Sequence, residues 1–183
     1  MEYISLFMRT ILFCLFLSTS LHKLKDFSHH VQTLTNYNLL ERRLVVPLAI
    51  LGVIQEIAIT ICMLFGLFIE WVSLISIALL VIYTLAISVS LIRGQSNLNC
   101  GCGGIAGNHK ISWWLVFRNI LWTIPCTWLA VNQQRLFRLD DYFISGSFYY
   151  DISSLFAVFS GLVFSLIIGI LNELKHLNTM NAR

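Results

Sequence analysis

The chain alternates long apolar runs with short polar connections, and the length of the runs decides its class. A helix crossing a bilayer needs about 20 mostly apolar residues. Five stretches meet this requirement, at 3–21, 45–69, 71–92, 111–131 and 151–171. The first has the position of a signal peptide but not its grammar. Met1-Glu2-Tyr3 is followed by Arg9 as the only early basic residue, and Ser18-Thr19-Ser20 is a poor cleavage site. It therefore reads as an uncleaved span. The second and third runs are joined by little more than Glu70-Trp71, which predicts a tight hairpin there. Asp151 and Asn172 bracket the fifth.

The connections carry the remaining pattern. Over 22–43, Leu24, Phe27, Val31 and Leu34 recur at helical spacing, with Lys23, Lys25, His29 and His30 among them. That predicts an amphipathic helix in the membrane interface, or a re-entrant segment tucked against the bundle. Over 132–150, aromatic residues mix with Arg135, Arg138, Asp140 and Asp141, as in an aromatic belt at headgroup level. The connection 93–110 is short, polar and glycine-rich. Five alternating crossings place 22–43 and 93–110 on one face, with the N-terminus opposite.

Composition fixes the class. Only 11% of the 183 residues are charged and mean hydropathy is +0.79, against roughly 25% charged in a soluble domain. The expectation is an all-α integral membrane protein, one membrane domain over 1–183, with lipid as its principal surroundings. A net charge of +3, scattered along the chain, excludes a nucleic-acid-binding surface.

Polar side chains inside the apolar runs demand partners, because a mid-bilayer charge costs about 2.5–3.5 kcal/mol on insertion scales. Glu56 beside Gln55 in the second run and Arg118 beside Asn119 in the fourth lie at similar depth, roughly 10–15 Å from the loop face at 1.5 Å per residue. Equal depth makes an ion pair between Glu56 and Arg118 geometrically possible; otherwise each charge has to neutralise or snorkel. Ser88, Ser90, Ser18, Thr19 and His22 share that half of the membrane; the opposite half reads as greasier. Such convergence serves either as helix–helix glue or as a pocket for a quinone headgroup or a proton relay.

The loop itself holds the chemistry. Cys100-Gly101-Cys102 places two thiols one glycine apart, among five glycines in eighteen residues. A disulfide across so short a ring is strained, and strain makes it more oxidising. Arg93, His109 and Lys110 are cations close in sequence that favour the thiolate, the nucleophilic form. Two thiolates also suit copper(I) or zinc, with His109 a conceivable third ligand, but no complete ligand set is visible. Cys14, Cys62 and Cys126 fall inside apolar runs and read as small hydrophobes.

Asn99-Cys100-Gly101-Cys102-Gly103-Gly104, then Trp113-Trp114 and Arg118-Asn119, resembles the methylamine-utilisation MauE family and its DoxX-like relatives. Leu21-His22-Lys23-Leu24, Tyr37-Asn38-Leu39-Leu40, Pro47 and Glu56 follow the same pattern. The resemblance covers residues 5–130, with Gly103 standing where that family usually carries Phe. It implies a four-helix core with an additional fifth helix here, and a role in forming or relaying disulfides alongside a thioredoxin-like partner. On that resemblance Cys100 and Cys102 are the redox pair, with Glu56, Arg118 and Asn119 as supporting polar positions.

The functional expectation is a membrane thiol–disulfide oxidoreductase or redox relay in the bacterial inner membrane. Electrons would pass between a thioredoxin-fold protein and either a quinone or a second thiol protein. The alternative is a non-enzymatic assembly component that binds a soft metal or a protein partner through the Cys-Gly-Cys loop. Nine of the twelve Lys/Arg residues lie on the loop face or nearer to it, which by the positive-inside rule favours a cytoplasmic loop.

Overall fold

The computed structural model describes residues 2–37, 41–94, 111–132, 137–140 and 151–181. Its long elements are all helical: α1 (Glu2–Lys25), α2 (Phe27–Asn36), α3 (Arg42–Phe65), α4 (Ile69–Ile92), α5 (Trp113–Val131) and α6 (Ile152–Asn181). Five of them, all but α2, are long and apolar enough to cross a membrane. The chain is a multi-pass, all-α membrane protein.

Neighbour relations close a four-helix ring. α1 packs on α3, α3 on α4, α4 on α5, and α5 back on α1; α6 lies outside the ring against α1. Burial follows from this placement. In α1, 56% of the apolar window is buried, against 17% in α6. The main core joins Leu12 and Phe16 of α1, Ile59 and Met63 of α3, Leu79 and Leu80 of α4, and Cys126 and Leu129 of α5. The large apolar side chains left exposed, such as Ile54, Trp71, Ile82 and Phe159, sit where lipid replaces water as solvent.

Helix ends depart from the sequence reading in instructive ways. The turn between α3 and α4 comes at Gly66–Phe68, and Glu70 and Trp71 belong to the first turn of α4 rather than to a hairpin. Gly66 takes φ 69° as the C-terminal cap of α3, and Phe68 takes φ 47°. Glycine reaches that left-handed region without steric cost, whereas most residues do not. An alanine Cβ at Gly66 would also lie 2.4 Å from the Phe137 carbonyl. At its other end α1 runs four residues past the expected limit at 21, which carries Lys23 into the bundle.

α2 is the amphipathic helix expected within 22–43, opened by Asp26, whose carboxylate accepts from the His29 amide at 3.4 Å. It packs mainly on α3. The residues it buries are His30, Thr33 and the adjoining Tyr37, while Leu24 is exposed and Phe27 and Val31 are half-buried. The apolar stripe is thus only partly covered, Leu34 packing against a buried cluster while Phe27 and Val31 stay half-buried. Tyr37 joins Ile87, Ile111, Leu115 and Val116 in a second cluster. That cluster pins both flanks of the 95–110 segment to one end of the bundle.

α6 approaches α1 closely at one point. A Cβ on Gly161 would meet the Thr10 Cβ at 2.9 Å, so glycine is what allows the two backbones to cross there. Phe7 and Phe164 meet beside it with ring centroids 5.9 Å apart.

Candidate functional site

Each helix of the ring sends a polar group to one buried centre. Lys23 of α1 is 3% exposed and Glu56 of α3 is 1% exposed; Lys23 Nζ donates to Glu56 Oε1 in a buried ion pair. Tyr83 of α4 donates its hydroxyl to the same Oε1 at 2.6 Å. Lys23 Nζ also donates to the Tyr83 oxygen at 3.1 Å and lies 4.5 Å from the centroid of its ring. Arg118, Asn119 and Trp122 of α5 and Thr19 of α1 line the same cavity of about 40 Å³. Such a space admits one or two waters.

The expected ion pair is therefore corrected. Glu56 is a partner as anticipated, but its cation is Lys23 rather than Arg118. Arg118 lies half-buried on the wall of the cavity that Glu56 also lines. The reason is geometric: the extended α1 carries Lys23 within its last turn, where its long side chain reaches inward to the carboxylate. The second carboxylate oxygen, Glu56 Oε2, is buried and has no hydrogen-bond partner among the described residues. A buried acceptor left in this way is energetically expensive. The centre therefore retains unsatisfied acceptor capacity beside a space large enough for water.

The other anticipated residues divide by position. Asn119 is buried in the cavity wall. Gln55 is half-buried beside Glu56, Ser88 is half-buried on α4, and His22 is half-buried one residue before Lys23; none of the three lines the cavity. Arg93 is exposed and caps α4, its amide donating to the Val89 carbonyl at 3.1 Å. Cys100, Cys102, His109 and Lys110 lie outside the described residues. Among the described residues, no three His, Cys, Asp or Glu side chains cluster to hold a metal ion. Cys14, Cys62 and Cys126 are free thiols, buried or half-buried in the spans.

Lys23 and Tyr83 were not legible as site residues. Lys23 sits in a stretch that reads as interfacial, and a lone tyrosine in an apolar run is unexceptional. One signal was present: Leu12, Phe16, Thr19 and Lys23 follow one helical face of α1, and all four are buried.

The opposite end of the bundle is not the greasier half. Arg9, 5% exposed, donates to the Phe137 carbonyl at 3.0 Å. Trp128 Nε1 donates to the Ser5 hydroxyl at 3.0 Å. Arg138 grips Asp140 through Nε at 2.8 Å and Nη2 at 2.6 Å. These contacts tie a connecting segment and two helices together.

Near His30, outside the spans, burial and then the positive charge of Lys23, with His29 and His22 beside it, push the imidazole down to about 4. Its Nδ1 is buried with no hydrogen-bond partner among the described residues. His30 is thus a neutral side chain flanking the ion pair.

Comparison with known proteins locates this bundle. The family model described as "Methylamine utilisation protein MauE" matches residues 1–132, which takes in α1 to α5. The chain is 24% identical over 116 residues to the methylamine utilization protein MauE of Paracoccus denitrificans, covering 63% of this chain and 62% of that one. It is 26% identical, over the same shares, to the protein of that name from Methylorubrum extorquens. The matched region spans under two thirds of those curated relatives. No solved structure matches the chain. The family match over residues 1–132, which takes in the four helices around the buried polar centre, makes this chain a member of the MauE family.

Proposed function

We propose that this protein is a thiol–disulfide oxidoreductase, or redox relay, of the bacterial inner membrane, with Cys100 and Cys102 as its exchanging pair. One thiolate attacks a disulfide of a thioredoxin-fold partner. The S–S bond of the partner breaks, a mixed disulfide forms, and the second thiolate resolves it, leaving the Cys100–Cys102 disulfide and the partner as a dithiol. In the reverse direction the same steps oxidise the partner. Either way the protein supports disulfide formation or maturation of another protein, in keeping with relatives named for methylamine utilisation.

The observation that supports this reading is that the two helices flanking the Cys-Gly-Cys segment in sequence, α4 and α5, both contribute residues to the buried polar centre. Arg118 lies five residues after the start of α5 and Tyr83 nine before the end of α4, about 8 Å and about 14 Å along their helices. Both helices flank the thiol segment. Thiol exchange requires deprotonation of the attacking sulfur and protonation of the departing one. A Lys–Glu–Tyr cluster held in low dielectric is suited to store and pass those protons.

Single Cys100→Ser and Cys102→Ser variants test it. Each should abolish exchange, and one should accumulate a mixed disulfide with the partner, visible as a reducible band on a non-reducing gel. Full function of the double serine variant in cells would sink the reading. Stoichiometric copper or zinc in the reduced, purified protein would instead support a metal-binding assembly component.

A further inference from the structure

α5 and α6 each pack on α1 but barely on one another. Between them lies a cleft of about 410 Å³, within the range of about 300–1,000 Å³ typical of small-molecule sites. Trp114 and Leu121, which line it, are 62% and 51% exposed, so it opens sideways toward lipid. Ile168 of α6 forms the facing wall, and Ser112, Arg118 and Asn172 are its polar lining residues. Arg118 and Trp122 line both this cleft and the 40 Å³ cavity at Glu56. They form the partition between an opening to the bilayer and the buried Lys23–Glu56–Tyr83 centre.

We propose that this lateral cleft is an access and binding site for a membrane quinone, its ring set against Arg118 and Trp122 and its apolar tail running out between α5 and α6. The proposal rests on the thiol-exchange reading, for which it names the electron acceptor. The balance closes: two thiols lose two electrons and two protons as the Cys100–Cys102 bond forms, and the quinone gains both to become a hydroquinone. An arginine N–H aimed at a quinone oxygen stabilises the charge that develops there on reduction. Indole rings provide flat apolar faces for the ring. The proton-holding cluster sits directly behind the partition, where the second oxygen-bound proton has to come from or return to.

An anionic phospholipid is the competing occupant. It would have to bring its phosphate about a turn and a half of helix below the start of α5 (roughly 8 Å), carrying full charge into the apolar layer. A neutral quinone carbonyl can accept a hydrogen bond at that depth without that cost.

The test uses the full-length protein in lipid nanodiscs and a short-tailed probe, decyl-ubiquinone, read by quenching of tryptophan fluorescence. The wild type should show saturable quenching, and a Leu121→Phe/Ile168→Phe variant with unchanged helical content and melting temperature should bind about ten-fold more weakly. Non-saturable quenching, or equal affinity in the variant, would overturn the site. So would loss of probe binding in discs enriched in phosphatidylglycerol, which would assign the cleft to lipid. Oxidation of the reduced pair by bound probe under anaerobic conditions is scored separately. Binding without oxidation overturns the acceptor role. Trapping of the mixed disulfide without any probe binding overturns the quinone site alone and leaves thiol exchange standing.

Discussion

A lysine close to the end of a membrane helix normally extends its ammonium outward to the headgroups. Lys23 turns inward, because Glu56 and Tyr83 offer it an anion, a hydroxyl and an aromatic face at one point. Removing one member of such a pair strands the other charge in low dielectric. Glu56→Ala should therefore lower stability by about 3–5 kcal/mol, read as a fall in melting temperature in detergent. A Lys23→Met/Glu56→Leu variant replaces both charges with apolar groups and should recover most of that loss. Restored folding without thiol exchange shows the pair serves chemistry; restored folding with full exchange shows it is structural glue. His30 yields a pH prediction with a definite sign. Its folded value is near 4 against the ordinary 6.5, so between those values the unfolded chain takes up a proton that the folded chain refuses. Stability is complete above 6.5 and declines as pH falls toward 4, by on the order of 3 kcal/mol at most. Melting temperatures at pH 7.5 and 5 should differ in the wild type, and the difference should shrink in His30→Gln.

At the scale of elements, small residues decide where helices turn and how closely they approach. Gly161 lets α6 cross α1 at Thr10, so Gly161→Val forces a Cβ against the Thr10 side chain and the Phe7 carbonyl. Overpacking of this kind costs about 1–3 kcal/mol. It should loosen α6 selectively, detectable as faster proteolysis after residue 150 while the melting of the remaining helices changes little. The existence and number of spans were legible in the sequence, because length and hydropathy are set by the bilayer itself. Their ends were less so. Leu67 and Phe68 are as apolar as the helices they separate, and Gly66 alone marks the stop. At the N-terminal side, nothing in Leu21-His22-Lys23 announces that α1 continues, since its continuation depends on a partner 33 positions away.

For the molecule as a whole, a ring of four helices brings one polar contribution from each to a common depth, and a fifth helix leaves a side opening toward lipid. Half of that centre could be read from single residues, because Glu56, Arg118 and Asn119 are costly in apolar runs and announce themselves. The other half could not, because Lys23 and Tyr83 acquire their role only from the packing. The same burial sharpens the question of orientation. Arg9 and Lys23 are held inside the fold, so they report on packing rather than on which face the ribosome side retained. Of the ten Lys/Arg residues left, Lys25, Arg42, Arg43, Arg93, Lys110, Arg118, Lys175 and Arg183 belong to the side of the thiol segment, and only Arg135 and Arg138 to the other. On the positive-inside rule this count predicts a cytoplasmic face for Cys100 and Cys102. The remaining cysteines lie buried or half-buried within spans, so a membrane-impermeant maleimide reports on the loop pair. Intact cells should give little labelling and permeabilised cells strong labelling. On the proposed function, a cytoplasmic pair would meet a reducing compartment and rest as a dithiol, with a reduced thioredoxin-fold protein as its electron donor and a lipid-soluble acceptor as its outlet. Strong labelling of intact cells would put the pair on the export side instead, and the protein would then oxidise exported substrates directly.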